Sequence, residues 1–186
     1  MLERHYTAGG YTHTFTRKGY EWDVGVHYIG EVLNPKREVL QVFDAITDGK
    51  LEWADMGEVY DTIIIGDDRY EFVKGVGNFK KKMVEYFPEE KAAIHAYVSR
   101  VKQMVAKGKL YFAEKALPRP LSALFGGLMR RGALKLARQT TAEVLAELTD
   151  NVRLRAVLAG QFGDYGLSPS EGSFFVHSMV VNHYFE

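Results

Sequence analysis

The chain has 186 residues, 24 Lys and Arg against 24 Asp and Glu, and no formal net charge; 46% of its residues are hydrophobic and 26% charged. That composition excludes wholesale disorder and fibrous repeats, and the balanced charge carries no nucleic-acid footprint. Cysteine is absent, which removes disulfides, thiolate metal sites and cysteine nucleophiles. No run approaches 18 consecutive apolar residues, and the first ten residues lack the charged-then-apolar order of a secretory signal. The default expectation is a cytoplasmic protein, with a peripheral membrane position also open.

In chain order, the opening residues are the odd ones. Leu2 and Glu3 run straight into Gly9 and Gly10, which reads as the end of an element rather than the start of a domain. Residues 20–29 (YEWDVGVHYI) alternate aromatic and β-branched side chains around Gly25, predicting a strand with a close backbone approach. Asn34 and Pro35 then supply an N-cap and a first-turn proline for a short helix carrying Val39, Leu40, Phe43 and Ile46 and ending at Gly49. Residues 51–56 and 59–65 are strand-like. Gly66, Asp67 and Asp68 turn the second of these into 69–74, so 59–74 is predicted to be an antiparallel hairpin.

Helix dominates from Asn78 onward. Pro88, Glu89 and Glu90 open a long helix whose Ile94, Tyr97, Val98, Val101, Met104 and Val105 step by three and four, a single buried stripe that Gly108 should weaken or end. Pro118, Arg119 and Pro120 form a break. Thr140 with Glu143, and Ser168 with Glu171, have the form of capping boxes, and each predicts a helix start. The second of these helices carries Phe174, Phe175, Val176, Met179 and Val180, and is still apolar and periodic where the chain stops. The fold class expected is α+β, with antiparallel strands to about residue 76 and helices over 77–186.

Few residues carry a chemical signature on their own. The segment Gly75, Val76, Gly77, Asn78, Phe79, Lys80 resembles a nucleotide loop without its third glycine, and a hairpin exit into a helix explains it better. His5, His13 and His27 are spaced eight and fourteen apart, too loosely for a compact metal-ligand pair, and no metal is expected. His177 and His183 sit six apart, off a shared helical face, and read as structural or solvent-facing. Tyr165 and Tyr184 suit either a pocket lining or the core. Residues 119–138 hold five basic residues, no acidic ones, and Leu121, Leu124, Phe125, Leu128 and Met129 at helical spacing. Such a segment lies in a bilayer interface or forms a core helix with a solvated basic face. Gly126 and Gly127 in its middle lower its helical stability and suit a mobile flap.

Taken together, residues 2–30 (LERHYTAGGYTHTFTRKGYEWDVGVHYIG) resemble the flavin-dependent retinol saturase and carotenoid isomerase family, relatives of the phytoene desaturases. The resemblance rests on Glu3 ending a strand, the Gly9–Gly10 turn and the Trp22, Asp23, Val24, Gly25 strand. It continues around Pro88 (YFPEEKAAI) and over 154–184, and is weaker between 105 and 140. It implies FAD: Glu3 on the adenosine ribose, Gly9 and Gly10 where a Cβ would clash with the diphosphate, and Gly25 and His27 on a strand near the isoalloxazine. Many relatives carry an arginine after the glycine pair. Tyr11 stands there instead, which leaves Thr12 or Thr14 to donate the hydrogen bonds.

The same resemblance implies a partial FAD-binding domain over 1–30 and a partial substrate domain over 31–186, with an apolar tunnel for a polyene. The glycine loop would lie upstream and a further flavin segment downstream, so the chain reads as an interior fragment, expected to hold FAD weakly and to be inactive alone. Severed sheet edges predict self-association. Two functions follow as expectations. One is part of an FAD-dependent oxidoreductase that saturates, desaturates or isomerises a retinoid or carotenoid, with no residue nominated as catalytic and no nucleic-acid partner. The alternative is a non-catalytic truncated module that binds an apolar ligand or a membrane surface.

Overall fold

The computed structural model describes residues 4–7 and 10–185. A 3-10 turn, Gly10–Thr12, leads into a two-stranded antiparallel hairpin of β1 (Thr14–Arg17) and β2 (Tyr20–Asp23). Lys18 and Gly19, both with positive φ, make the tight turn that suits the right-handed twist of paired strands. The strand expected over 20–29 stops at Asp23 because Gly25 has φ +85°, a left-handed value that ends strand geometry. Residues 25–34 leave the hairpin as irregular chain.

Helix α1 (Glu38–Thr47) starts later than the Asn34–Pro35 signal suggests. Asn34 spends its capping groups on a local turn: its side chain accepts the Lys36 N–H at 3.1 Å and its carbonyl the Arg37 N–H at 3.0 Å. Gly49 closes the other end by donating to the Asp44 carbonyl at 2.9 Å. Residues 51–56 are irregular rather than a strand, and Trp53 among them packs edge-on against Phe43 of α1, with centroids 5.0 Å apart. The hairpin predicted over 59–74 is present as β3 (Val59–Ile65) and β4 (Asp68–Val73), closed by the Ile65–Asp68 pair. Its buried face carries Tyr60, Tyr70 and Phe72.

The remainder is helical. Gly75, with φ +83°, caps α2 (Val76–Tyr86), which disposes of the nucleotide-loop likeness. A 3-10 turn at Pro88–Glu90 leads into α3 (Lys91–Lys115). This helix runs straight through Gly108 instead of ending there. A Cβ at that position would lie 3.0 Å from the Phe175 ring, so the glycine permits close packing. Helix α4 (Arg119–Leu136) returns along α3 and continues unbroken across Gly126 and Gly127. Gly126 is needed there, because its Cβ would sit 2.8 Å from Oε1 of Glu114 on α3. No flap is formed.

The Thr140 capping box is present and starts α5 (Thr141–Leu148), and the Asn151 side chain caps α6 (Val152–Leu158). A 3-10 turn, Gly160–Asp164, follows. The Ser168 motif does not start a helix. Its hydroxyl bonds Glu171 at 2.7 Å within a turn, and the last helix, α7 (Phe174–Tyr184), begins six residues later on a Ser173 cap. Helix α3 is the axis of the core. Its Ile94, Tyr97, Val101 and Met104 are buried against Leu145 of α5, Leu154 and Leu158 of α6 and Phe174 of α7. Fully burying each such side chain contributes roughly 1.5–3 kcal/mol, which makes this layer the platform for everything N-terminal to it.

Candidate functional site

The irregular chain after β2, the 53–56 segment and the C-terminal end of α7 enclose a cavity of about 710 Å³. Its walls are largely apolar, with Val26, Ile29, Val32, Leu33, Trp53 and Met56 contributing. Asp23, His27, Glu31 and Asn34 add polar groups along the irregular chain, and others gather at two places. Asp55 and Lys74 pair with each other where the lining meets solvent. Tyr28, Tyr60 and Tyr184 form the other group, with ring centroids 4.8 Å apart for Tyr28–Tyr184 and 5.5 Å for Tyr60–Tyr184.

These phenols come from three separated segments: the loop after β2, strand β3 and the last turn of α7. Tyr60 and Tyr184 are buried, and the Tyr60 hydroxyl has no hydrogen-bond partner. The Tyr184 hydroxyl lies near the Asp164 carboxyl and the Tyr28 hydroxyl. Burial above all, then the charges of Asp61 and Asp164, pushes Tyr28 up to about 12 and raises Tyr60 further, and burial with the Asp164 charge raises Tyr184. All three are therefore neutral hydrogen-bonding groups at physiological pH. Burial and the neighbouring Asp61 charge also raise the Asp164 carboxyl above its ordinary value, and its Oδ2 is buried without a partner. A second, smaller cavity of about 370 Å³ shares Val26, Tyr28 and Tyr184 with the first and adds Asp164 and His183. The Tyr28–Tyr184 pair thus stands between two hollows.

The wall is fastened to the helical platform at Gly30. Its N–H donates to Nε2 of His183 at 2.7 Å, and a Cβ on Gly30 would fall 1.8 Å from the His183 carbonyl oxygen. Burial lowers the His183 pKa, only partly offset by Glu31, which keeps Nε2 free to accept.

Of the residues singled out in the sequence, the structure brings Gly25 and His27 to the cavity but not Gly10 or Thr12. Glu3 and Gly9 lie outside the described residues. His27 is held locally: Nδ1 meets Asp23 at 3.0 Å and Nε2 meets the Val24 carbonyl at 3.1 Å. The His5 and His13 rings are in contact, 4.4 Å apart, and among the described residues no cluster of three or more His, Asp or Glu is placed to hold a metal. His177 is not solvent-facing. It is fully buried in the core between the Tyr97 and Tyr165 hydroxyls, at 2.8 and 3.2 Å. Tyr184 lines the cavity, whereas Tyr165 belongs to the His177 network. Tyr28, Tyr60 and Asp164 escaped the sequence reading. Nothing in their local spacing marks them, since only the fold makes them neighbours.

The fold and cavity define the class: an α+β protein with a largely apolar chamber that carries neutral phenols at one end. Over 99% of its length the chain is similar to an all-trans-retinol 13,14-reductase of Danio rerio, with 37% identity across 192 residues, and to the Homo sapiens protein of the same name, with 34%. A Danio rerio relative named as an inactive all-trans-retinol 13,14-reductase is 28% identical over 98% of the chain. No family profile matches. The chain is therefore a homologue of the retinol saturases, as its motifs implied, and it spans about a third of the length of the curated relatives it matches.

Proposed function

We propose that this chain forms the retinoid-holding part of an FAD-dependent oxidoreductase that saturates a carbon–carbon double bond. The cavity carries the reading: about 710 Å³ of largely apolar space, bounded on one side by the segment from Gly25 to Gly30. A long polyene is bound chiefly by burying its apolar surface, and the apolar walls of this chamber offer that burial.

The same wall suits a flavin. At Gly25 the chain runs along the cavity with φ +85°, and nothing lies within 4 Å of where a Cβ would be. An unobstructed strip of backbone is what a flat ring needs for close approach, so Gly25 and His27 fit the role, with Thr12 and Gly10 nearer the N-terminus for the remainder of the cofactor. When bound, the flavin supplies hydride chemistry at N5. The residues of this chain would orient the polyene, keep water from its double bonds and hold the wall in place through the Gly30–His183 contact. In this reading residues 1–30 lie with the cofactor, 31–186 with the substrate, and the segment 25–30 faces both.

Trp53 supplies the test. All-trans-retinol added to the purified chain is expected to quench tryptophan fluorescence saturably. Trp53→Phe should remove that quenching, while Trp22→Phe, on the exposed β2 strand, should retain it. Quenching that follows Trp22, or none at all, overturns the reading. A parallel titration of FAD, read by a shift in flavin absorbance, tests the cofactor half separately.

A second surface supports contact with a bilayer. Among the described residues no helix is long and apolar enough to cross a membrane. The α3–α4 pair nevertheless exposes Leu124 and Leu128 to 72% and 77%, with Leu110 and Phe112 also open to solvent, beside the basic residues of 119–138. A half-inserted helix hairpin on an anionic leaflet satisfies both features.

A further inference from the structure

We infer that Tyr28 and Tyr184, backed by Asp164, receive the hydroxyl end of an uncharged apolar alcohol, and that this site rejects a carboxylate at the same end. The inference rests on the cavity being a retinoid chamber and adds which residues read the ligand's polar terminus.

Three observations carry it. First, the apolar chamber and the smaller hollow meet at the Tyr28–Tyr184 pair, so a chain-like ligand filling the chamber reaches these hydroxyls with its end. Second, the group holds buried hydrogen-bonding atoms without partners: Oδ2 of Asp164, an acceptor, and the hydroxyl of Tyr60. A buried carboxylate oxygen left in this way is costly, and a donor arriving with the ligand relieves that cost. An alcohol brings both a donor for this acceptor set and an oxygen to accept from Tyr28. An aldehyde, an ester or a hydrocarbon brings no donor.

Third, the charge is of one sign. Asp164 and Asp61 act on the tyrosines, and His183 is kept neutral by burial. Elsewhere in the lining, Lys74 is paired with Asp55 and His27 with Asp23, and Glu31 adds a further carboxylate. No unpaired cation among the described lining residues offsets a carboxylate arriving at the tyrosines, so an acid-terminated ligand meets like charge in a partly desolvated place.

The experiment uses three ligands and four proteins. All-trans-retinol, all-trans-retinoic acid and the hydrocarbon analogue with hydrogen in place of the hydroxyl are titrated by Trp53 quenching into the wild-type chain and the Tyr28→Phe, Tyr184→Phe and Asp164→Asn variants. Circular dichroism confirms that each variant is folded. Retinol is expected to bind tightest to the wild type. Either phenylalanine variant should weaken retinol about fivefold while leaving the hydrocarbon unchanged, the size of one lost hydrogen bond. Asp164→Asn should improve retinoic acid about tenfold.

Retinoic acid binding the wild type as tightly as retinol overturns the proposal, and so does an equal loss of retinol and hydrocarbon in the phenylalanine variants. Binding of the hydrocarbon without any preference for the alcohol removes the hydroxyl site and leaves the chamber. Failure of all three ligands removes the chamber, and the proposal with it.

Discussion

Nε2 of His183 accepts the Gly30 amide N–H at 2.7 Å, across 153 residues of sequence. This contact couples the cavity wall to the last helix, and it leaves no room for a side chain, since a Cβ on Gly30 would lie 1.8 Å from the His183 carbonyl oxygen. Gly30→Ala is therefore expected to push the wall off α7, with a loss of at least about 1–3 kcal/mol in urea denaturation and a larger proportional loss of retinol binding. His183→Ala removes one hydrogen bond and leaves the approach open, so about 1 kcal/mol is expected. An alanine at position 30 with wild-type stability and binding would show that the wall does not rest on α7.

His177 sets the acid limit of the core. It is fully buried, and burial drops its pKa to about 4 from the ordinary 6.5. The folded state thus binds the proton less readily than the unfolded chain. The contribution is complete above about pH 6.5, and stability falls as the pH drops from there toward 4, by at most about 3 kcal/mol. His183, lowered by burial as well, acts in the same direction. His177→Gln should lower stability at pH 7.5, because Tyr97 and Tyr165 lose well-placed partners, and should flatten the decline between pH 6.5 and 4.5. An unchanged pH slope would assign the acid sensitivity to other groups.

How far the sequence foretold this molecule depends on whether the signal was local. The β3–β4 hairpin, the α3 stripe and the Thr140 capping box were legible because alternation, helical spacing and reciprocal side-chain to backbone bonds all act within a few residues. The same vocabulary misled where a side chain had another use. Asn34 closes a turn instead of capping α1, and Ser168 bonds the Glu171 carboxylate instead of a backbone N–H. Gly108 and Gly126 looked like helix breakers, yet they are contact points for Phe175 and Glu114. Gly25 and His27, singled out by family motifs, line the cavity, whereas Tyr28, Tyr60 and Asp164 converge only when β3, the 160–164 turn and α7 pack. Residues that meet through tertiary packing leave no periodic trace.

The α3–α4 pair is pinned by a buried carboxylate. Glu114 is only 2% exposed and accepts a short hydrogen bond from the Ser122 hydroxyl, with Lys115 at 3.4 Å and Arg130 at 3.9 Å. Ser122 first, then Arg130 and Lys115, hold its carboxyl below the usual glutamate range. A group lowered in this way stabilises the fold above its unfolded pKa and loses that contribution as pH falls through the folded value. Gly126→Ala brings a methyl against this carboxylate and is expected to lower the melting temperature by several degrees. Glu114→Gln in the same background should recover little, since the amide occupies the same space. Full recovery would mean that charge, not volume, governs the contact.

The exposed ridge of the same pair yields the last prediction. Leu121, Leu124 and Leu128 follow one another at helical spacing on α4 and face solvent, and 119–138 carries five basic residues and no acidic ones. Apolar insertion and attraction to anionic lipid add, with each lysine or arginine near the surface contributing about 1 kcal/mol at moderate salt. Sedimentation with phosphatidylserine-containing vesicles should therefore exceed that with pure phosphatidylcholine and fall as salt is raised. The double variant L124E/L128E should abolish binding to both vesicle types while leaving retinol quenching of Trp53 intact, because neither leucine lines the cavity. Salt-insensitive binding would assign the attachment to the apolar ridge alone, and binding that survives the double variant would place it on another surface of the molecule.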